Sequence, residues 1–165
     1  MTASIEIAPA VPSDWPEIWR IFRHVIEEGE TYSYGEESTE EWAREYWTGA
    51  NVSCFAAKEN GKLLGCYALR PSRVGRGSHI ANASYMVAPE ARGKGIGRML
   101  GEHSIAEARR RGYHGMVYNF VVSTNEKAVK LWKSLGFQII GTLPKGFRSK
   151  SLGLVDAYMM YQPLQ

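Results

Sequence analysis

The chain has 165 residues, 44% of them hydrophobic and 22% charged, and these values are typical of a soluble globular protein with one domain over residues 1–165. No apolar run approaches the roughly 20 residues that span a bilayer, and no basic region followed by an apolar stretch opens the sequence, so we predict a cytoplasmic protein. The net charge of +3 falls well short of the concentrated positive charge of a dedicated nucleic-acid binder, which argues against that class.

The two cysteines, Cys54 and Cys66, lie in apolar segments without a CxxC spacing. We therefore predict two reduced, buried thiols. The four histidines occur singly along the chain, without the i, i+4 pairing that a zinc site often uses, so we predict no metal site.

The first third of the chain predicts a strand and two helices. Residues 4–10 alternate polar and apolar side chains as a strand does. Asp14 with Glu17 resembles a capping box that opens the first helix, and Ser38 with Glu41 repeats the signal before the second. The connection between the two helices contains GETYSYG and could lie over a site.

The middle of the chain predicts a hairpin, a central strand and a long helix. VSCFAAKENGKLLGCYAL contains two β-rich runs joined by an Asn-Gly turn at 60–61. Residues 79–88 form a strand that stops at Pro89, and a helix of about 15 residues should follow and end near Gly112.

The last third predicts a strand, a helix and two closing strands. Residues 115–122 form the strand, and Ser123 with Glu126 caps the helix, which stops at Gly136. FQIIGTLP and LVDAYMMYQPL complete the sheet, with the basic loop KGFRSKS between them. The element order is typical of an α+β domain with helices packed on a mixed sheet.

The segment from Arg92 to Arg98 (RGKGIGR) has the composition of an anion site. It joins the end of a strand to the start of a helix, where free N–H groups and the helix dipole favour an anion. Its glycines let a pyrophosphate approach the backbone, and Arg92, Lys94 and Arg98 add cationic donors. A glycine-rich turn with a basic helix start is the alternative, while the Walker and Rossmann patterns do not fit.

These residues resemble the GNAT superfamily of N-acetyltransferases, whose signature Q/R-x-x-G-x-G/A is matched by Arg92, Gly95 and Gly97. The resemblance continues in STNEKAVKLWKSLGF and covers nearly the whole chain. It implies a mixed, mostly antiparallel sheet of about seven strands flanked by about four helices. It also implies that acetyl-CoA is the acyl donor, with no metal.

The resemblance also implies which residues contact acetyl-CoA. Met86 and Val87 would pair with the pantetheine arm like an added strand, and Asn125 and Trp132 would lie against the cofactor. The backbone amides that would hold the pyrophosphate are those of Gly93, Lys94, Gly95, Ile96, Gly97 and Arg98. Alternatively, Asn125 is simply a helix cap and Trp132 fills an apolar stripe.

The catalytic groups of many relatives are missing here. Trp132 stands where those relatives have a proton-donating tyrosine, and an indole N–H has no useful acidity. The strand 79–88 offers Asn82 instead of a glutamate base. Together with Asn119 and Asn125, these residues resemble the yeast-type acetyltransferases of L-azetidine-2-carboxylate and related proline analogues.

Our hypothesis is therefore catalysis by positioning. A neutral amine attacks the thioester, a strand N–H and Asn125 polarise its carbonyl oxygen, and Asn82 and Asn119 hold the acceptor. The acceptor is predicted to be a small amino acid or analogue. The alternatives are a protein N-terminus or lysine as acceptor, or a module that binds acetyl-CoA without turnover.

Two further features have open interpretations. The basic loop with Arg70, Arg73 and Arg76 is predicted to be solvated surface, although it could contact a substrate carboxylate or the CoA 3′-phosphate. The C-terminal strand could pair across a homodimer.

Overall fold

The computed structural model describes residues 4–165, which fold into seven strands and four α-helices in the predicted order. The strands are β1 (Glu6–Pro9), β2 (Ser53–Glu59), β3 (Lys62–Pro71), β4 (Ile80–Val87), β5 (Gly115–Val122), β6 (Gln138–Ser149) and β7 (Gly153–Pro163). The helices are α1 (Trp15–Glu28), α2 (Glu40–Thr48), α3 (Ile96–Arg110) and α4 (Glu126–Ser134). The predicted α+β fold class is confirmed. None of these helices is long and apolar enough to cross a membrane.

The strands form one sheet in the order β1-β2-β3-β4-β5-β7-β6. Every neighbouring pair is antiparallel except β4 and β5, which are parallel and pair only from Ile80 to Asn82 against Gly115 to Val117. Beyond Asn82 the two strands separate. The edge of β4 that faces β5 is thereby left without a strand partner in the middle of the sheet.

The helices cover both faces of this sheet. Successive side chains of a strand point to opposite faces, and β4 shows which helices lie on each. The Ser84 hydroxyl contacts Tyr46 of α2, whereas the Tyr85 side chain contacts Ser104 of α3 and Trp132 of α4. The separated strands are therefore enclosed from both sides.

The predicted capping box at the start of α1 is wrong. Asp14 does precede the helix, but its carboxylate accepts the N–H of Val11 at 2.9 Å and pairs with Lys58 at 2.6 Å. The charge of Lys58, brought close by the β1–β2 pairing, gives the carboxylate a stronger partner than a helix amide.

The other two predicted caps are displaced along the chain. Thr39, not Ser38, caps α2 through the N–H of Trp42, because the Ser38 hydroxyl bonds to the carbonyl of Gly35. Asn125, not Ser123, caps α4. The backbone of Ser123 still bonds to the carbonyl of Asp156 beyond the end of β5, so the helix cannot begin there.

The predicted basic loop KGFRSKS lies mostly within β6. Phe147, Arg148 and Ser149 pair with β7, and the chain reverses only after Ser149. Contacts distant in sequence hold this extension in place, since the Ser149 hydroxyl donates to the carboxylate of Glu30. The prediction missed the extension because nothing in the local sequence signals that contact.

The last strand does not lie at an edge of the sheet. β7 is paired with β5 on one side and with β6 on the other, so it cannot pair across a dimer as predicted. The edge strands are β1 and β6. A homodimer remains a prediction, and it would have to use another surface.

Candidate active site

A cleft of about 320 Å³ opens where β4 and β5 separate. Its walls come from the end of α1, the α1–α2 loop, α2, β4, β5 and α4. Seven of the residues singled out by the sequence line it: Asn82, Met86, Val87, Arg92, Asn119, Asn125 and Trp132. Among residues 4–165, no cluster of His, Cys, Asp or Glu could hold a metal ion.

The free edge of β4 forms one side of this cleft. Ala88 donates its N–H to Leu64 at 2.8 Å, so by strand alternation the peptide groups of Met86 point to β3, and those of Tyr85 and Val87 point into the gap. The hydroxyl of Tyr32 occupies this edge at Tyr85, donating to its carbonyl at 2.7 Å and accepting its N–H at 3.0 Å. A strand-like ligand would therefore find polar backbone groups at Val87 and, after displacement of Tyr32, at Tyr85.

The edge of β4 leads to the start of α3, where the backbone has the geometry of an anion cradle. Gly93 and Gly95 have φ values of 78° and 79°, which favour glycine. The first amide to bond within the helix belongs to Met99, which donates to the carbonyl of Gly95. The N–H groups of Ile96, Gly97 and Arg98 therefore have no helical acceptor and suit the pyrophosphate of CoA.

The three cations predicted for this segment differ in their partners. Arg92 forms a two-bond ion pair with Glu28 of α1, at 2.6 and 2.7 Å, and this interaction lowers the pKa of Glu28. Arg98 donates to Ser134 at 2.8 Å. Lys94 is exposed and has no ion-pair partner within the part of the chain that the structure describes. Lys94 is thus the most available cation for a phosphate.

The two parallel strands each carry one asparagine of the cleft. Asn82 of β4 lies at the closed end of the cleft, and Asn119 of β5 lies on its wall. Asn82 donates its side-chain amide to the carbonyl of Val117 at 2.9 Å and so links β4 to β5 where they separate. Its carbonyl oxygen remains available as an acceptor. Asn119 lies where the β5–β7 register shifts, and a bulge of this kind redirects a side chain; Asn119 is exposed.

Asn125 and Trp132 hold the α4 side of the cleft. The side-chain oxygen of Asn125 accepts the N–H of Ala128 at 3.3 Å, which confirms the capping interpretation and leaves its NH₂ group free to donate. Trp132 is buried, with ring centroids 4.7 Å from Tyr85 and 4.8 Å from Tyr118. Its packing role is confirmed, while the cofactor contact remains a prediction.

A hydroxyl cluster beneath the cleft was not predicted. The Tyr85 hydroxyl lies 2.6 Å from that of Ser104 and 2.8 Å from that of Tyr118. Burial raises the pKa of Tyr85 to about 12, and burial also raises the pKa of Tyr118 above its ordinary value. Both phenols therefore stay protonated near neutral pH. The three residues are distant in sequence, so no local pattern signals that they meet.

Comparison with known proteins agrees with this geometry. The family model "Acetyltransferase (GNAT) family" matches residues 15–137. The chain belongs to the GNAT family. The resemblance predicted from Arg92, Gly95 and Gly97 is confirmed at this level, whereas the azetidine-2-carboxylate subtype remains a prediction.

Two solved structures are similar over nearly the whole chain. A GCN5-related N-acetyltransferase from Kribbella flavida is 42% identical with a TM-score of 0.93, covering 96% of this chain and 97% of that one. The putative acetyltransferase yncA from Salmonella typhimurium, solved with its cofactor acetyl-CoA, is 26% identical with a TM-score of 0.83, covering 99% and 95%.

Two relatives match over a shorter region. N-acetyltransferase aca1 of Schizosaccharomyces pombe is 41% identical over 98 residues, which are 59% of this chain and 47% of aca1. L-amino acid N-acyltransferase MnaT of Escherichia coli is 34% identical over 99 residues, which are 59% of this chain and 57% of MnaT. The alignments thus span about half the length of these relatives.

Proposed function

We propose that this protein is an acetyl-CoA-dependent N-acetyltransferase that acetylates the amine of a small molecule, an amino acid or an analogue of one. The observation that carries the proposal is the continuous path from the free edge of β4 to the open amides of α3, with three asparagines beside it. The name of MnaT, an L-amino acid N-acyltransferase, supports the choice of acceptor.

Acetyl-CoA binds along this path in the proposal. The amides from Gly93 to Arg98 hold the pyrophosphate. Lys94 supplies a positive charge beside it, because the charge of Arg92 is already paired with Glu28. The pantetheine arm pairs with the backbone of Val87. Met86 also lines the cleft but offers no free backbone group, because its peptide groups point to β3.

The acetyl carbonyl is polarised by two neutral donors. One is the NH₂ group of Asn125, and the other is the N–H of Tyr85, which becomes available when the Tyr32 hydroxyl leaves it. Donors held in place by a helix start and a strand stabilise the oxyanion of the tetrahedral intermediate without reorganisation. The transfer forms a C–N bond to the amine and breaks the C–S bond of the thioester, so that CoA leaves as its thiolate and the proton lost by the amine passes to solvent.

The amine is positioned rather than deprotonated by a strong base. Among residues 4–165, Glu28 is the one acidic residue that lines the cleft; its pKa is lowered because of Arg92, so its carboxylate is a weak base. The side-chain carbonyl of Asn82 accepts a hydrogen bond from the amine, and Asn119 orients the rest of the acceptor.

Thiol release from acetyl-CoA tests the proposal directly. Purified protein is offered L-azetidine-2-carboxylate, phosphinothricin and methionine sulfone, beside a lysine-containing peptide. Turnover on a small amino acid supports the proposal, and turnover on the peptide alone contradicts the acceptor class. Tight acetyl-CoA binding with no release on any acceptor would favour a non-catalytic module.

The two strand asparagines have their own test. Asn82→Ala and Asn119→Ala should each lower kcat/KM for the acceptor while leaving acetyl-CoA affinity unchanged. Asn82→Ala should also destabilise the fold by about 1 kcal/mol, since the Val117 carbonyl loses its donor. Unchanged rates in both variants would remove these residues from the acceptor site.

A further inference from the structure

Arg70 lies at the acceptor end of the cleft. It stands directly opposite Asn82 in the β3–β4 register, so both side chains emerge from the same face of the sheet. Its guanidinium carbon lies 4.1 Å from the ring centroid of Tyr46, whose hydroxyl is 2.7 Å from that of Ser84. Asn82, Ser84 and Tyr46 all line the cleft. Arg70 is therefore packed directly behind the wall that would face the acceptor amine.

The charge of Arg70 is not neutralised by the protein. Its Nε and Nη2 atoms are buried and have no hydrogen-bond partner, and within residues 4–165 no carboxylate forms an ion pair with it. Arg92 and Arg111, by contrast, each have a glutamate partner. Burying two guanidinium N–H donors without an acceptor costs free energy, and a ligand that accepts from both would recover it.

The prediction of a solvated basic loop is thus wrong for Arg70, although Arg73 and Arg76 are exposed as expected. The difference arises because Arg70 still belongs to β3, whereas the other two follow it in the loop. On the face of the sheet covered by α2, the Arg70 side chain packs on the ring of Tyr46 and is only partly exposed.

We propose that Arg70 binds the carboxylate of the acceptor, so that the acceptors are small amino acids or analogues with a free carboxylate. The proposal rests on the N-acetyltransferase function proposed above. Nε–H and one Nη2–H lie along the same edge of a guanidinium, and two parallel donors of this kind match the two oxygens of a carboxylate. Because this edge is covered in the structure, the surrounding side chains must separate when the acceptor binds.

A peptide amine and CoA both fit the position of Arg70 less well than a free amino acid does. A peptide lysine or N-terminus carries no carboxylate close to the amine and would leave the charge unpaired. The CoA phosphates belong near Gly93 to Arg98, beyond the far end of β4. Asn82 and Val87 are five residues apart on that strand, which corresponds to roughly 17 Å.

Paired acceptors and matched variants test the proposal. L-azetidine-2-carboxylate and methionine sulfone are each compared with their carboxamides, in the wild type, Arg70→Gln and Arg70→Lys. Arg73→Gln is the control, since it removes an exposed cation three residues away. Two quantities are measured: kcat/KM at saturating acetyl-CoA, and acceptor binding by calorimetry in the presence of CoA.

We expect the wild type to prefer the carboxylates by about 10- to 100-fold, the range of a charge-assisted hydrogen bond. Arg70→Gln should abolish this preference, mainly through KM, while acetyl-CoA affinity and the thermal midpoint do not fall. Arg70→Lys should keep part of the preference because it keeps the charge, and Arg73→Gln should keep all of it.

Three results would overturn the proposal: carboxamides as good as carboxylates in the wild type, an equal loss for both acceptor types in Arg70→Gln, or no detectable binding of either carboxylate. Arg70-dependent binding of the carboxylates without thiol release would support the carboxylate site but contradict the proposed enzymatic function. The two proposals can therefore fail separately.

Discussion

The phenolic hydroxyl of Tyr32 bridges both peptide groups of Tyr85, 2.7 Å from the carbonyl oxygen and 3.0 Å from the amide nitrogen. Tyr32 lies in the loop after α1, and Tyr85 lies on the edge of β4 that has no neighbouring strand. The hydroxyl therefore does what a neighbouring strand would do: it satisfies a donor and an acceptor that burial would otherwise leave unpaired.

Removing the Tyr32 hydroxyl should lower the stability of the protein without weakening acetyl-CoA binding. Tyr32→Phe should lower the free energy of unfolding by about 1–3 kcal/mol, because the peptide groups of Tyr85 lose their partner. It should leave acetyl-CoA binding as tight or tighter, because the ligand no longer competes with the phenol. Thermal unfolding and calorimetry measure the two effects, with Tyr34→Phe from the same loop as the control. Weaker acetyl-CoA binding with unchanged stability would contradict this role.

The glycines before α3 can be tested against a glycine of the same conformation. Gly95 and Gly61 both have a φ of 79° and open space where a Cβ would lie. Alanine at either position should destabilise the fold by about 1 kcal/mol through backbone strain. Only Gly95→Ala should also weaken acetyl-CoA binding, since Gly61 lies in the β2–β3 turn. Equal acetyl-CoA affinities in the two variants would argue against the anion cradle.

Asn125 has a capping role and a proposed catalytic role. Substitution by serine should affect only the catalytic role. Serine caps helices about as well as asparagine but lacks the NH₂ donor. Asn125→Ser should therefore keep the stability of the protein and lower kcat by about 10²-fold, the loss typical of one oxyanion donor. Asn125→Ala should lose stability as well. A normal kcat in the serine variant would leave Asn125 as a helix cap alone.

Glu107 of α3 should make stability depend on acid pH. Hydrogen bonds from Arg110 and Arg111 hold its pKa at about 2, below the ordinary value of 4.5. A lowered pKa in the folded state stabilises the protein fully above pH 4.5, and the contribution disappears as the pH falls towards 2. Solvent weakens the interaction with Arg110, which is largely exposed. We therefore expect Glu107 to contribute about 2 kcal/mol to the free energy of unfolding at neutral pH.

The measurement compares unfolding of the wild type with that of Glu107→Gln from pH 7 downwards. The difference between the two should be constant above pH 5 and should shrink below it. Glu102→Gln, which removes a more exposed partner of Arg98 on the same helix, should have little effect. A difference that does not change with pH would mean that Glu107 acts through packing.

The sequence by itself determined the order of the elements and the anion cradle. The strand from Gly115 to Val122 and the 15-residue length of α3 agree with the structure, because alternation and helix stops are local properties. The glycine-rich turn before Ile96 could also be predicted, since glycine is the residue that most readily adopts the positive φ values found at Gly93 and Gly95.

Only the tertiary structure decided which side chains meet. Arg92 pairs with Glu28, 64 residues away, and the Tyr32 hydroxyl bonds to Tyr85, 53 residues away. Arg70 was predicted to be solvated and is packed on Tyr46. Periodicity reports the face of an element that is buried, but not the partner that another part of the chain brings to it. Those partners depend on the order of strands in the sheet and on the packing of helices against it, so they are set by contacts distant in sequence.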